Sequence, residues 1–272
     1  PAARRISDAA IRFAEDVARK MPARRFGDST DPRRPRYWQF GFDSPATDLA
    51  MRGITARTGV DAATLMLAVF AIAQARVSGT NPAVAHIMVH NRFRRELADA
   101  VAPNSQAGLF MVDVGGVTFD QALARARRRA MVTYKHAYYD QLSKEGLEER
   151  IGVERGEPIH IGCFFNDRRP PAVQAGSGDG APAPSPEQLR VARERTILHC
   201  ELQQDEPFES LFLHVENVPG TVHITAQADT HYMSPADLEA LLREIEEIAV
   251  EAAFDGSVPT RVPAGDGSTT GQ

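Results

Sequence analysis

His86 and His90 stand four residues apart, as do His136 and Asp140, and both spacings have the reach for metal or acid–base chemistry. Histidines at i and i+4 hold a metal when a helix stacks them on one face. Residues 83–89 alternate like a strand instead, and no third ligand follows, so no metal site is expected there. His136 and Asp140 close an arginine-rich helical stretch, where the same spacing permits a charge-assisted pair. No nucleophile or oxyanion donor accompanies them, so the pair reads as structural rather than as a catalytic dyad. His199, His214, His223 and His231 scatter through the last third of the chain. His214 and His223 flank a turn as candidate cross-strand neighbours, and neither is a general base by itself. Gly176, Gly178 and Gly180 imitate a phosphate-binding run but lie in a Pro/Ala-rich stretch, not between a strand and a helix. Neither a GxSxG elbow nor an HExxH helix occurs. Local chemistry supplies no active site, and no catalytic residue is assigned.

The bulk properties narrow the class. The 272 residues are 43% hydrophobic and 25% charged, as in ordinary globular domains. With 36 acidic residues against 31 basic ones, the net charge of −5 argues against a general nucleic-acid binder. Cys163 and Cys200 lack CxxC neighbours and read as small apolar residues in a reducing, cytoplasmic compartment. The longest apolar stretch, residues 65–73, suits a buried helix, not a membrane span, and no signal-peptide core precedes it. No membrane partner is expected. Pro1 opens the sequence, so the chain is processed or part of a longer one.

The elements that must position these residues follow from periodicity and caps. Residues 7–21 form a helix with Ile11, Phe13, Ala14, Val17 and Ala18 as its stripe, followed by a polar connector over 22–35. Residues 37–42 are extended, and Asp43 or Ser44 caps a helix that runs to about Thr58 and stops at Gly59. Asp61 caps the next helix, apolar on nearly every side and therefore buried, which Gly79 ends. Thr118 and Gln121 make a capping box for a helix reaching about Tyr138, with Arg125, Arg127, Arg128 and Arg129 as a solvated face. Strands are expected at 83–89, 159–165, 196–202, 211–216 and 221–229, the last two joined by the Pro219-Gly220 turn. Residues 167–186 read as a flexible loop. Ser234 and Pro235 start a final helix with Leu238, Leu241, Leu242, Ile245 and Ile248 on one side, and the tail over 259–272 reads as disordered. Alternating strands and helices with a late hairpin predict an α/β fold, a two-layer sandwich of a mixed β-sheet with packed helices.

The order of segments adds a resemblance. TGVDAATLMLAVFAIAQARVSGTNPAVAHIMVHNR, residues 58–92, is similar to the stretch of nonribosomal-peptide-synthetase condensation domains in which a buried helix leads through a glycine turn to a strand ending in Asn-Arg. NSQAGLFMVDV, residues 104–114, resembles the family's IGxFVNT motif: Gly108 and Phe110 match, and Val112 stands at the asparagine position. TFDQALARARRRAMVTYKHAYYDQL resembles the helix that leads to HQDYPFE, where His136 fits and the remainder departs. EPIHIGCFFND resembles a strand ending in a family asparagine, here Asn166, and MSPADLEALLREIEEIAVEA resembles the closing helix.

The resemblance implies a chloramphenicol-acetyltransferase-like lobe, the C-terminal one of two, over residues 36–258, with residues 1–35 leading into it. It implies acyl transfer between a donor held as a thioester on a carrier protein's phosphopantetheine arm and an acceptor, giving an amide or ester bond. No cofactor would be bound directly; the expected partners are carrier proteins and the missing N-terminal lobe. That lobe bears the family's HHxxxDG histidine, a motif this sequence lacks. Asn91, Arg92, Gly108, Phe110, His136 and Asn166 become candidates for lining the substrate tunnel. Two alternatives stand beside this reading: a non-catalytic module that binds carrier proteins or a synthetase, and a related acyltransferase using coenzyme A or a lipid.

Overall fold

Helix boundaries in this chain are written by short polar side chains. The computed structural model describes residues 2–22, 26, 31, 33–92, 97, 99, 101, 104–159, 161–170 and 183–265. Its elements, in chain order, are α1 (Ala2–Lys20), β1 (Tyr37–Ser44), α2 (Pro45–Thr58), α3 (Ala62–Ser78), β2 (Ala83–Val89), β3 (Gln106–Val112) and α4 (Phe119–Lys135). There follow α5 (Gln141–Arg155), β4 (Cys163–Asp167), α6 (Pro186–Arg193), β5 (Ile197–Gln204), β6 (Leu211–Glu216), β7 (Val222–Asp229) and α7 (Pro235–Phe254). Ser44 caps α2, Asp61 caps α3, and capping boxes start α4 and α7, so the first orphan N–H groups are satisfied where the sequence predicts.

The strands form one sheet in the order β3-β2-β4-β6-β7-β1-β5. β2, β4 and β6 run parallel and the other pairings are antiparallel. One face carries the main core, in which α2, α3, α4 and α7 pack onto Phe40, Phe42, Ile87, Phe110, Leu213 and Ile224. α3 is central to it, buried continuously from Thr64 to Ala75. On the opposite face α1 and α5 cover one end, packing Val17, Leu147 and Ile151 on Val84, Leu109 and Met111. Beyond that end the described helices leave the face uncovered, and Phe164, Asn166, Phe212, His214, Thr225 and Asp43 keep contact with solvent. The expected α/β fold, a mixed sheet with packed helices, is the fold found.

Several expectations change. α4 stops at Lys135 instead of Tyr138, because His136 leaves helical geometry and the Tyr139 hydroxyl turns back to donate to the Ala107 carbonyl (2.9 Å). β4 begins at Cys163, since Ile159 and Ile161 pack with α1 and α5. Helices α5 and α6 were not anticipated. The disordered tail expected from Pro259 does not hold for residues 259–265. There Pro259 bridges to Thr118, Thr260 Oγ1 donates to the Val114 carbonyl (2.7 Å), and Arg76 Nε donates to the Thr260 carbonyl (2.8 Å). A Cβ on Gly115 would lie 2.1 Å from the Pro263 carbonyl oxygen, so this close crossing requires glycine. Residues 266–272 lie outside the described residues, as do 171–182 of the loop expected over 167–186. The flanks of that loop belong to the fold: Asp167 ends β4, Pro184 packs on Gly53, and Ser185 caps α6. No single helix among the described residues is long and apolar enough to cross a membrane.

Candidate functional site

The parallel strands β2, β4 and β6 end together, and open sheets of this kind present polar groups at their carboxyl ends. Five of the six residues singled out from the sequence sit at or near this end, and they do different jobs. Asn91 follows β2 with φ 55 and is fully buried. Its Nδ2 donates to the carbonyls of Ala137 (2.9 Å) and Asn104 (3.1 Å), tying the strand end to the α4–α5 junction. That arrangement makes Asn91 a lock inside the fold, not a side chain facing a channel. Arg92 is exposed, and its backbone N–H donates to His90 Nδ1 (3.0 Å).

Gly108 does permit a close approach, but of helix α4: a Cβ there would lie 2.7 Å from Thr133 Cγ2 and 3.1 Å from the Ala137 Cβ. Phe110, farther along β3 and 1% exposed, belongs to the main core. His136 ends α4 and stacks on Phe13 of α1, ring centres 4.9 Å apart. Asp140 caps α5 by accepting from the Ser143 N–H (2.9 Å), so the helix break between them replaces the His136–Asp140 pairing the spacing allowed. Of the six, Asn166 alone points onto the uncovered sheet face.

Around Asn166 lies a cluster that the sequence did not assemble. Arg168 Nη1 donates to Glu216 (2.7 Å), and Arg168 Nη2 lies 3.3 Å from His214 Nε2. Asn166 Nδ2 lies 3.3 Å from His214 Nδ1. A guanidinium only donates, so His214 Nε2 is the acceptor and the ring proton sits on Nδ1. The Asn166 amide is then satisfied with its carbonyl oxygen toward the ring. Burial, followed by the Arg168 charge, pushes the His214 pKa down from 6.5 to about 4, so the imidazole is neutral near pH 7. Such a ring orients neighbours and is a poor general base.

His223 Nδ1 lies 2.9 Å from Asp43 Oδ1, and His223 faces Glu216 in the β6–β7 register. The register opposes His214 to Thr225, so the two histidines are diagonal and not directly paired. A polar row thus crosses β4, β6, β7 and β1. Beside it runs an aromatic ladder across β2, β4 and β6: His86 to Phe164 at 4.9 Å, Phe164 to Phe212 at 5.2 Å, and Phe212 to His214 at 4.2 Å. Phe208, 41% exposed, extends the ladder at 5.8 Å from Phe212. The only sequence signal for these residues was the period-two alternation that sends His214, Glu216, His223 and Thr225 to one face. Among the described residues no three His, Cys, Asp or Glu side chains come together as a metal site. The arrangement offers an apolar platform with hydrogen-bonding groups along one border, which suits binding and orienting better than proton transfer.

No family model and no curated protein matches the sequence. Solved structures match in fold. The chain aligns over 94% of its length with 55% of a chain in the complex of the X-domain and OxyB from teicoplanin biosynthesis, at a TM-score of 0.64 and 12% identity. For the first condensation domain of the calcium-dependent antibiotic synthetase the shares are 94% and 53%, at a TM-score of 0.62 and 13% identity. For the condensation domain involved in chain release from the enacyloxin polyketide synthase they are 97% and 50%, at a TM-score of 0.64 and 16% identity. The chain therefore has the fold of condensation domains and X-domains, and it spans about half the length of these matched structures.

Proposed function

With the condensation-domain fold as premise, we propose that this chain is one lobe of a condensation-type acyltransferase of nonribosomal peptide or related natural-product assembly. The observation that carries the reading is the alignment of nearly the whole chain with half of a condensation domain. The uncovered sheet face supports it: the aromatic ladder and the Asn166–His214–Arg168 row form a wall to which a second lobe can close. In this reading a carrier protein delivers the donor as a thioester on its phosphopantetheine arm. The acceptor amine attacks the thioester carbonyl, the amide C–N bond forms, the C–S bond breaks, and the thiol leaves with the proton. An HHxxxDG histidine on the other lobe handles the amine proton, while Asn166 and its neighbours orient the arm.

The test combines this chain with an HHxxxDG lobe, fused or added, a carrier-bound acyl donor and an amine acceptor, with amide followed by mass spectrometry. Product is expected with both lobes and none from residues 1–272 alone. Turnover by this chain alone, or none when both lobes are present and associated, refutes the reading. A non-catalytic docking module is the second reading, favoured by the likeness to a fold captured in complex with OxyB. It is supported if the associated lobes bind a carrier protein yet give no product.

A further inference from the structure

Many exposed arginines on this molecule are neutralised by a neighbour: Arg19, Arg52, Arg190, Arg243 and Arg261 each meet a carboxylate at 2.5–2.9 Å, while Arg4, Arg5 and Arg12 of α1 form no ion pair with a described residue. Helix α4 gathers unpaired arginines beside accessible apolar side chains. Arg125 pairs with Asp113 at 2.9 Å, but Arg127, Arg128 and Arg129 form no ion pair or hydrogen bond with a described residue. In a chain of net charge −5 such a run is a local feature and does not follow from the composition. The same surface exposes apolar atoms, with Met131 68% and Val132 39% accessible. Arg125, Arg128 and Val132 follow helical spacing and border a groove of about 350 Å³ between α4 and the end of β3, with Met111 and Val112 at its floor.

The helix that carries this face is held firmly. Its inner side buries Leu123, Ala126, Ala130 and Thr133, its start is a capping box, and Thr133 Oγ1 donates to the Leu109 carbonyl (3.3 Å). Unpaired guanidiniums on a firmly held helix, beside accessible apolar side chains, make a recognition surface for carboxylates and one protruding apolar group. Methionine adds a contact that adapts its shape to the partner. We propose that this face of α4 docks an acidic protein surface bearing an exposed apolar side chain.

Other occupants fit less well. Single-stranded nucleic acid calls for aromatic platforms, and the outer face of α4 offers Met131 and Val132 instead. A membrane calls for a broader apolar face than these two residues provide. A second copy of this chain offers acidic α5 with exposed Leu142 and Val153. Two of its four glutamates are already committed, however, Glu148 to Lys144 (3.0 Å) and Glu154 to Arg19 (2.6 Å), and Lys144, Arg150 and Arg155 set positive charge on the same helix.

The inference rests on the proposed function only for the natural partner, which in that reading is a carrier protein. The binding test does not involve turnover, so the two readings fail separately. The probe is a fluorescent helical peptide rich in Asp and Glu with one exposed leucine, titrated with the whole chain at low and high ionic strength. Binding should weaken with salt, because the contacts lie at the surface. It should fall about tenfold or more in the R127E/R128E/R129E variant, as expected for reversal of several rim charges. Met131→Asp should also weaken it, while Arg243→Glu, on helix α7, should not. Circular dichroism would confirm that these surface variants fold. Unchanged affinity in the triple variant overturns the proposal. So does equal binding of a lysine-rich peptide, preference for DNA or anionic vesicles, or a wild-type dimer that the triple variant dissociates.

Discussion

Replacing Asn91 separates a lock in the fold from a tunnel residue. Each hydrogen on Nδ2 has a carbonyl partner, at Ala137 and Asn104, and the residue is fully buried at φ 55. Truncation to glycine removes both bonds at about 1 kcal/mol each. Alanine adds a left-handed backbone strain of about 1 kcal/mol. The void left behind and the loss of Oδ1, which has no hydrogen-bond partner, act in opposite directions and are taken to cancel. The expectation is therefore about 2 kcal/mol lost in Asn91→Gly and about 3 kcal/mol in Asn91→Ala. Asn91→Asp should be worse still, since it aims a buried carboxylate at two carbonyl oxygens. Urea titrations read the differences as shifts in midpoint at constant slope. In thermal melts each kcal/mol should appear as about 2–4 °C. An Asn91→Gly variant as stable as the parent would refute this account. If that variant also lost carrier-dependent turnover, Asn91 would return to the tunnel wall.

Gly108→Ala should cost about 1–3 kcal/mol by pushing α4 off β3, and adding Thr133→Ser, which deletes the clashing Cγ2, should recover part of the loss. Equal melting temperatures for the single and double variants would count against this packing. Arg36 Nε donates to Asp229 Oδ1 (2.7 Å), and the carboxylate is 3% exposed, so Arg36→Met should lose about 3 kcal/mol and a further Asp229→Asn should restore much of it. Finding no recovery in chemical denaturation would mean the pair is not coupled. For His214 the folded pKa of about 4 lies below the ordinary 6.5, so the unfolded chain binds the proton first. Its contribution is therefore complete above pH 6.5 and is lost as pH falls toward 4, by about 1–2 kcal/mol once its partial exposure is allowed for. His214→Asn should remove that part of the pH dependence, and parallel stability curves for variant and parent would refute it.

Much of this fold was legible because caps are local. Ser44, Asp61, Thr118 with Gln121, and Ser234 with Pro235 each act within one helical turn, so short windows of sequence contained both partners of the interaction. The hairpin β6–β7 was legible for the same reason, with alternation and Pro219-Gly220 adjacent in the chain. Helix α5 escaped because its buried positions, Lys144, Leu147, Ile151 and Gly152, mix polar and apolar types. The stretch after Pro259 reads as a polar tail until Val114, Gly115 and Arg76 are brought beside it.

The sequence alone therefore determined where α2, α3, α4 and α7 begin, though not the start of α1 at Ala2, along with the apolar faces of β6 and β7 and a condensation-like order of segments. Tertiary structure decided the site. Asn166 and His214 are 48 residues apart, and Asp43 and His223 are 180 apart. Their meeting depends on which strands become neighbours and in what register, and that is settled by burying the opposite face of the same strands in the core. The tunnel candidates were sorted in the same way. Asn91, Gly108 and Phe110 fill the interior because α4 packs on β3, whereas Asn166 faces outward because Phe165, the next residue in β4, is the one the core takes.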